Sequence, residues 1–246
     1  MHFTYDDYVK MIVLLLSNGY VITDYRNYLN FSEDDKCAIL RHDIDIDVDK
    51  ACRLAEIEAE LGVKSTFFVL TSSDLYNVNA SSTVGMLKKI ISFGHCIGLH
   101  FDESRYEIDA NDYEAVINSI KMETSILEQI LGQKVDCVSM HRPSKTVLDA
   151  DLDIPGMVNS YNHVLFHDYK YLSDSRKTWR VSIADIIGQD EYSKLHILTH
   201  PFWYDDYEKD IRDSLADYIR SGNRRCYCNL VKNITGMEEL LKGFRI

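Results

Sequence analysis

Arg41-His42-Asp43-Ile44-Asp45 is the stretch on which the reading of this chain turns. It closes the apolar run Cys37-Ala38-Ile39-Leu40, and Asp47-Val48-Asp49 opens a helical pattern directly after it. A short run rich in aliphatic and β-branched residues reads as a buried strand, which puts the acids at its carboxyl end. Side chains alternate along a strand, so Asp43 and Asp45 share one face while His42 and Ile44 take the other. Two carboxylates side by side repel each other, and burying them is costly unless a cation or a proton intervenes. Carboxyl ends of parallel strands are also where α/β proteins place their chemistry. Asp47 reads differently, as the cap of the following helix.

Working outward, strand-like segments recur at 65–70, 96–100, 135–140, 179–187 and 196–199. Apolar residues at helical spacing mark 5–17, 48–61, 84–93, 112–131 and 206–219. Residues 20–35 read as a loop or irregular lead into the first strand, and 144–177 as a less regular region. Strands alternating with helices imply parallel pairing, and a repeated βα unit over 246 residues favours an α/β barrel. The expectation is one domain, 1–246, with an N-terminal helical lead over about 1–36.

Asp and Glu number 39 against 27 Lys and Arg, a formal net charge of -12. Such a chain, with no basic block, is a poor ligand for nucleic acid or anionic membranes, where cations must neutralise phosphates. The apolar run Met11 to Leu16 is too short to span a bilayer and has no small-residue cleavage site after it. The six cysteines are scattered, with Cys37, Cys96 and Cys137 in or beside strand patterns, so they read as reduced, buried thiols. Cys226 and Cys228 form a lone C-x-C, a weak metal signal. A cytoplasmic location without a membrane span is the expectation.

Four strand ends present polar groups: Asp43/Asp45, His100, His141-Arg142 and His200. A carboxylate oxygen with imidazole nitrogens suits zinc or another first-row divalent ion. Such an ion would neutralise the Asp43/Asp45 repulsion and lower the pKa of bound water towards about 7. Hydrolysing an amide or ester then needs a base for the water proton and an acid for the leaving atom. A carboxylate and the histidine at the last strand end supply one of each. His95, at the opposite end of its strand, reads as structural. Phe67 and Phe68 read as barrel core, and Trp203 and Tyr204 as either core or a stacking surface for a sugar.

These motifs, in this order, resemble those of the polysaccharide deacetylases, the NodB-homology group of carbohydrate esterase family 4. The resemblance rests on Leu40-Arg41-His42-Asp43-Ile44-Asp45, Gly94-His95-Cys96-Ile97-Gly98-Leu99-His100, Ser139-Met140-His141-Arg142-Pro143 and Leu198-Thr199-His200-Pro201. Ser173-Asp174-Ser175 with Trp179 matches the remaining motif loosely. The resemblance implies a deformed (β/α)7 barrel and hydrolytic removal of an acetyl group from an N-acetylated sugar. It implies Asp43 as catalytic base, Asp45 as metal-binding carboxylate and His100 as first metal histidine. Arg142 would orient the base, and His200 would be the acid. The second motif diverges: the family's second metal histidine comes four residues after the first, and that position is Ser104 here. His141 could supply the missing nitrogen, or Asp102 an oxygen, although strand alternation argues against His141 and Arg142 pointing the same way. The implied substrate is an N-acetylated sugar, as a sugar nucleotide, lipid-linked sugar or glycan precursor, and the implied cofactor is a divalent metal, zinc. Hydrolysis of another small amide is one alternative, and a catalytically silent carbohydrate-binding or scaffold protein is another.

Overall fold

The computed structural model describes residues 2–32, 34–109 and 111–244. Its strands are β1 (Val21–Thr23), β2 (Cys37–Ile44), β3 (Thr66–Leu70), β4 (Cys96–Phe101), β5 (Cys137–Met140), β6 (Val158–Asn159), β7 (Lys170–Ser173) and β8 (Lys194–Thr199). The helices are α1 (Tyr5–Ser17), α2 (Val48–Glu60), α3 (Ser81–Ser92), α4 (Tyr113–Leu131), α5 (Lys145–Asp149), α6 (His163–His167), α7 (Ile183–Gly188), α8 (Ile211–Asn233) and α9 (Met237–Leu240). Every pairing is parallel, and the strand order is β6-β5-β4-β3-β2-β8-β7. The path ends at β6 and β7, which makes this a deformed, open (β/α)7 barrel. β2 is its pivot: β8 follows it from Cys37 to His42, while β1 and β3 share its other side.

Parity along the strands sorts the core. In β2, Ala38, Leu40 and Ile44 pack outward, in apolar clusters with residues of the covering helices. Cys37 and Ile39 share a cluster with Tyr25, Phe68 and Cys137, and Arg41 and Asp43 follow them on that inner row. In β4, Ile97, Leu99 and Phe101 join the outer core, which leaves Cys96, Gly98 and His100 on the inner face. Asp43 pairs with Phe68, and Phe68 with Gly98, so one row crosses the barrel interior. A Cβ on Gly98 would lie 2.5 Å from the Phe68 ring and 2.9 Å from Cys137 Sγ. Gly98→Ala is therefore expected to lower stability by about 1–3 kcal/mol through overpacking. A urea midpoint unchanged from the parent would show that Phe68 can yield at no cost.

On the outer face, His42 Nε2 donates to Glu58 Oε1 of α2 at 2.9 Å, and Nδ1 meets Thr199 Oγ1 at 2.6 Å. Glu58 also accepts from Tyr8 of α1 and from Ser65, which contacts His95. His95 thus belongs to a buried network that fastens α1 and α2 to the sheet. Burial pushes the Glu58 carboxyl up, but His42, His95 and Ser65 outweigh it and hold it below its ordinary value. Satisfying every member is what makes burying a carboxylate tolerable.

Several expectations need correction. Residues 179–187 are not a strand: Ser182 caps α7, and Ile183 and Ile187 are buried at helical spacing. The irregular region 144–177 contains α5, β6, α6 and β7, whose elements of two to five residues are too short to leave a periodic signal. The N-terminal lead is part of the barrel, since α1 buries Tyr8, Met11, Ile12 and Leu15 and β1 joins the sheet. The chain divides into two compact units, Met1–Asp206 and Tyr207–Ile246. The second unit consists of α8, which starts later and runs further than the 206–219 pattern, with α9. Among the described residues no helix is long and apolar enough to cross a membrane.

Candidate active site

In β2, β4, β5 and β8 the inner row runs out to a polar side chain at the carboxyl rim. Asp43 ends that row in β2 and Asp45 continues it. His100 ends it in β4, and His141 and His200 lie one residue beyond β5 and β8 in the same parity. All five line one cavity of about 790 Å³, within the roughly 300–1,000 Å³ usual for small-molecule sites.

Asp45, His100 and His141 converge. Asp45 Oδ1 lies 3.2 Å from His100 Nε2 and 3.4 Å from His141 Nδ1, and the two nitrogens are 3.1 Å apart. These are close to the edges of a tetrahedron around an ion with bonds of about 2.0–2.1 Å. Asp45 Oδ1 is buried and receives no well-aligned hydrogen bond. His100 Nδ1 sits 3.1 Å from the Ser139 carbonyl, which fixes the proton there and turns the Nε2 lone pair toward the cluster in the neutral ring. Lone pairs facing one another in a buried site call for a cation. Burial lowers the His100 pKa, yet Asp43 and Asp45 outweigh it and raise it, so the local field favours positive charge. Burial raises Asp45, and contact with His100 and His141 brings it well below the usual carboxylate range. The residues fit a divalent ion with nitrogen and oxygen donors. Asp102 is occupied otherwise: its Oδ1 accepts from the backbone and hydroxyl of Ser104 in the turn Glu103–Arg105.

Asp43 lies beside this cluster, its Oδ2 3.6 Å from His100 Nε2. Its cationic partner is Arg41, whose Nη2 donates to Oδ2 at 2.9 Å. Arg41 is 0% exposed, and it also donates to Ser160 Oγ at 2.9 Å and the Tyr161 hydroxyl at 3.2 Å. Burial pushes the Asp43 carboxyl up, but Arg41, then His100 and His200, hold it below its ordinary value. Asp43 Oδ1 is buried with no hydrogen-bond partner, leaving one acceptor free at the cavity. Arg142, expected as the orienting cation, is exposed on the cavity wall with a left-handed backbone (φ 49°), and among the described residues it makes no contact with Asp43. Its number has the wrong parity for the inner row of β5. Arg41 has the right parity on β2, and that signal was present in the sequence.

His200 is held by Asp174, which directly follows β7. Its Nδ1 lies 2.6 Å from Asp174 Oδ1, and its backbone N–H donates to the same carboxylate at 3.0 Å. Burial lowers the His200 pKa, but Asp174, then Asp43 and Asp45, lift it to about 9. With Nδ1–H on Asp174, Nε2–H points toward the cluster, 3.9 Å from Asp45 Oδ2. Trp203 lines the cavity, whereas Tyr204 is fully buried with α1.

No family model and no curated protein sequence matches this chain. Solved structures do. The chain is similar to a family 4 carbohydrate esterase from Bacillus anthracis, at 16% identity over 87% of this chain and 85% of that one, with TM-score 0.45. It is similar to the chitin deacetylase of the fungal pathogen Colletotrichum lindemuthianum, at 16% identity over 81% and 86%, with TM-score 0.47. A mutant of a Bacillus anthracis family 4 pseudoenzyme with restored enzymatic activity matches at 14% identity and TM-score 0.47. That match covers 79% of this chain, which spans 65% of the other's length.

Proposed function

We propose that this protein is a metal-dependent hydrolase that removes an N-acetyl group from a sugar or glycan precursor. The observation that carries the reading is the Asp45/His100/His141 cluster, flanked by a carboxylate with a free oxygen and a histidine held by the buried Asp174. Asp45, His100 and His141 would hold the ion, and their nitrogen and oxygen donors suit zinc. When bound, it supplies a Lewis acid that polarises the acyl carbonyl and acidifies water.

The chain's own residues perform the proton transfers. Asp43 takes the proton of the attacking water through Oδ1, and Arg41 keeps the carboxylate ionised and oriented. His200 gives its Nε2 proton to the departing sugar nitrogen, which otherwise leaves as a poor anion. Asp174 holds the imidazole in position and stabilises its charged form.

Acetate release from a panel of N-acetylated sugars, with elemental analysis of the same protein, tests this. Chelation should abolish release and added zinc restore it. Rate should fall as pH rises through the His200 pKa, at about 9 or below once a cation sits beside Asp45, because the acid must be protonated. The acid limb should lie below the ordinary carboxylate range, since Asp43 must be ionised and its pKa is depressed. Protein that holds its metal yet releases acetate from no sugar would instead support the silent carbohydrate-binding reading.

A further inference from the structure

Two cations on the cavity wall take no part in the chemistry above. Arg142 follows His141, and Arg176 lies in the turn Ser175–Lys177 after β7. Both backbones are left-handed, at φ 49° and 59°. That region crowds the Cβ of any residue but glycine, and such strain clusters where a structure aims a side chain at a ligand. Among the described residues neither guanidinium has an ion-pair or hydrogen-bond partner, although the chain carries a net charge of -12.

The acids of the same wall do not need them. Asp43 has Arg41, Asp45 has the histidines, and Asp102 is tied to Ser104. Asp74 is the one exposed acid among the described residues of the lining, and it makes no ion pair with either arginine. A guanidinium offers a rigid fork of donors that matches phosphate oxygens two at a time. A neutral glycan offers nothing that two free guanidinia would neutralise.

We infer that Arg142 and Arg176 form an anion subsite, and that the acylated sugar carries a phosphoryl group there. The sugar identity rests on the deacetylase reading; the subsite does not. A sugar monophosphate and a nucleoside-diphosphate sugar share the recognised group.

The test is equilibrium binding of N-acetylglucosamine, its 1-phosphate and its uridine-diphosphate conjugate to the metal-loaded protein, with acetate followed in the same samples. At least one phosphorylated probe should bind about tenfold more tightly than the neutral sugar, the factor that 1.4 kcal/mol represents. The better of the two identifies the monophosphate or the diphosphate as the source. Arg142→Gln with Arg176→Gln should erase the preference, and the paired Lys variants should recover part of it. Salt should weaken only the phosphorylated probes. No preference, no binding of either phosphorylated probe, or a preference that survives both Gln changes would overturn the subsite. A preference lost in the Gln variants without acetate release from any probe would uphold the subsite and sink the deacetylase reading. Equal release from all three probes without a binding preference would do the reverse.

Discussion

Asp43→Asn and His200→Ala are each expected to lower turnover by about 10²–10⁴-fold, the usual contribution of one positioned proton transfer. Asp43→Asn keeps the shape and the Arg41 contact but removes the basicity of Oδ1. His200→Ala removes a cavity imidazole that lies outside the metal cluster and is held by a buried carboxylate. Both changes leave Asp45, His100 and His141 in place as the donor set, so bound metal should remain near stoichiometric. The two losses should not multiply, because base and acid serve one reaction. Removing Asp43 should abolish the acid limb of the pH–rate profile, and removing His200 the alkaline limb. Single-turnover acetate release measures both, and near-parent rates in both variants would defeat the assignment.

Arg41→Met is expected to destabilise the protein by about 3–5 kcal/mol, because it leaves the Asp43 carboxylate buried without its partner. Burial is the largest influence on Asp43 and Arg41 the largest opposing one, so the carboxyl pKa should rise. The acid limb of any surviving activity should then move to higher pH. The double variant Arg41→Met, Asp43→Asn should regain part of the lost stability, since a neutral amide no longer demands a cation. Arg142→Met should leave stability within about 0.5 kcal/mol of the parent, as expected of an exposed side chain. Urea midpoints for the four proteins separate these outcomes. Equal losses at Arg41 and Arg142 would return the orienting role to dispute.

The sheet was legible because its strands announce themselves. Apolar runs at 37–40, 65–70 and 96–100 are buried on both faces, and each gave its strand to within a residue or so at the start. Charge on a strand read equally well at Asp43 and Asp45, where alternation alone placed both acids on one face. The same rule puts Arg41 on that face as well, but the sequence reading took Arg142 from the motif resemblance and did not weigh Arg41. Asp174 was visible only as a loose motif, because nothing local to residues 173–175 encodes its contact with His200. That contact comes from β7 lying beside β8. Residues 179–187 misread because Val181, Ile183, Ile186 and Ile187 carry strand-like side chains, while the Ser182 cap decides for helix. The left-handed backbones at Arg142 and Arg176 left no trace in composition, since neither position is glycine.

The alternation that puts Arg41, Asp43, His100, His141 and His200 inside also governs which copying errors the gene can survive. Gaining or losing a residue in a turn away from the cavity leaves that alternation intact. A single residue lost within 38–40 would present His42 and Ile44 to the cavity and press Arg41 and Asp43 into the aliphatic layer beneath α1 and α2. Two residues lost would restore the facing but slide the carboxylates about 7 Å down the barrel, out of reach of His100. Length in the strands is therefore fixed far more tightly than the identity of most side chains they carry.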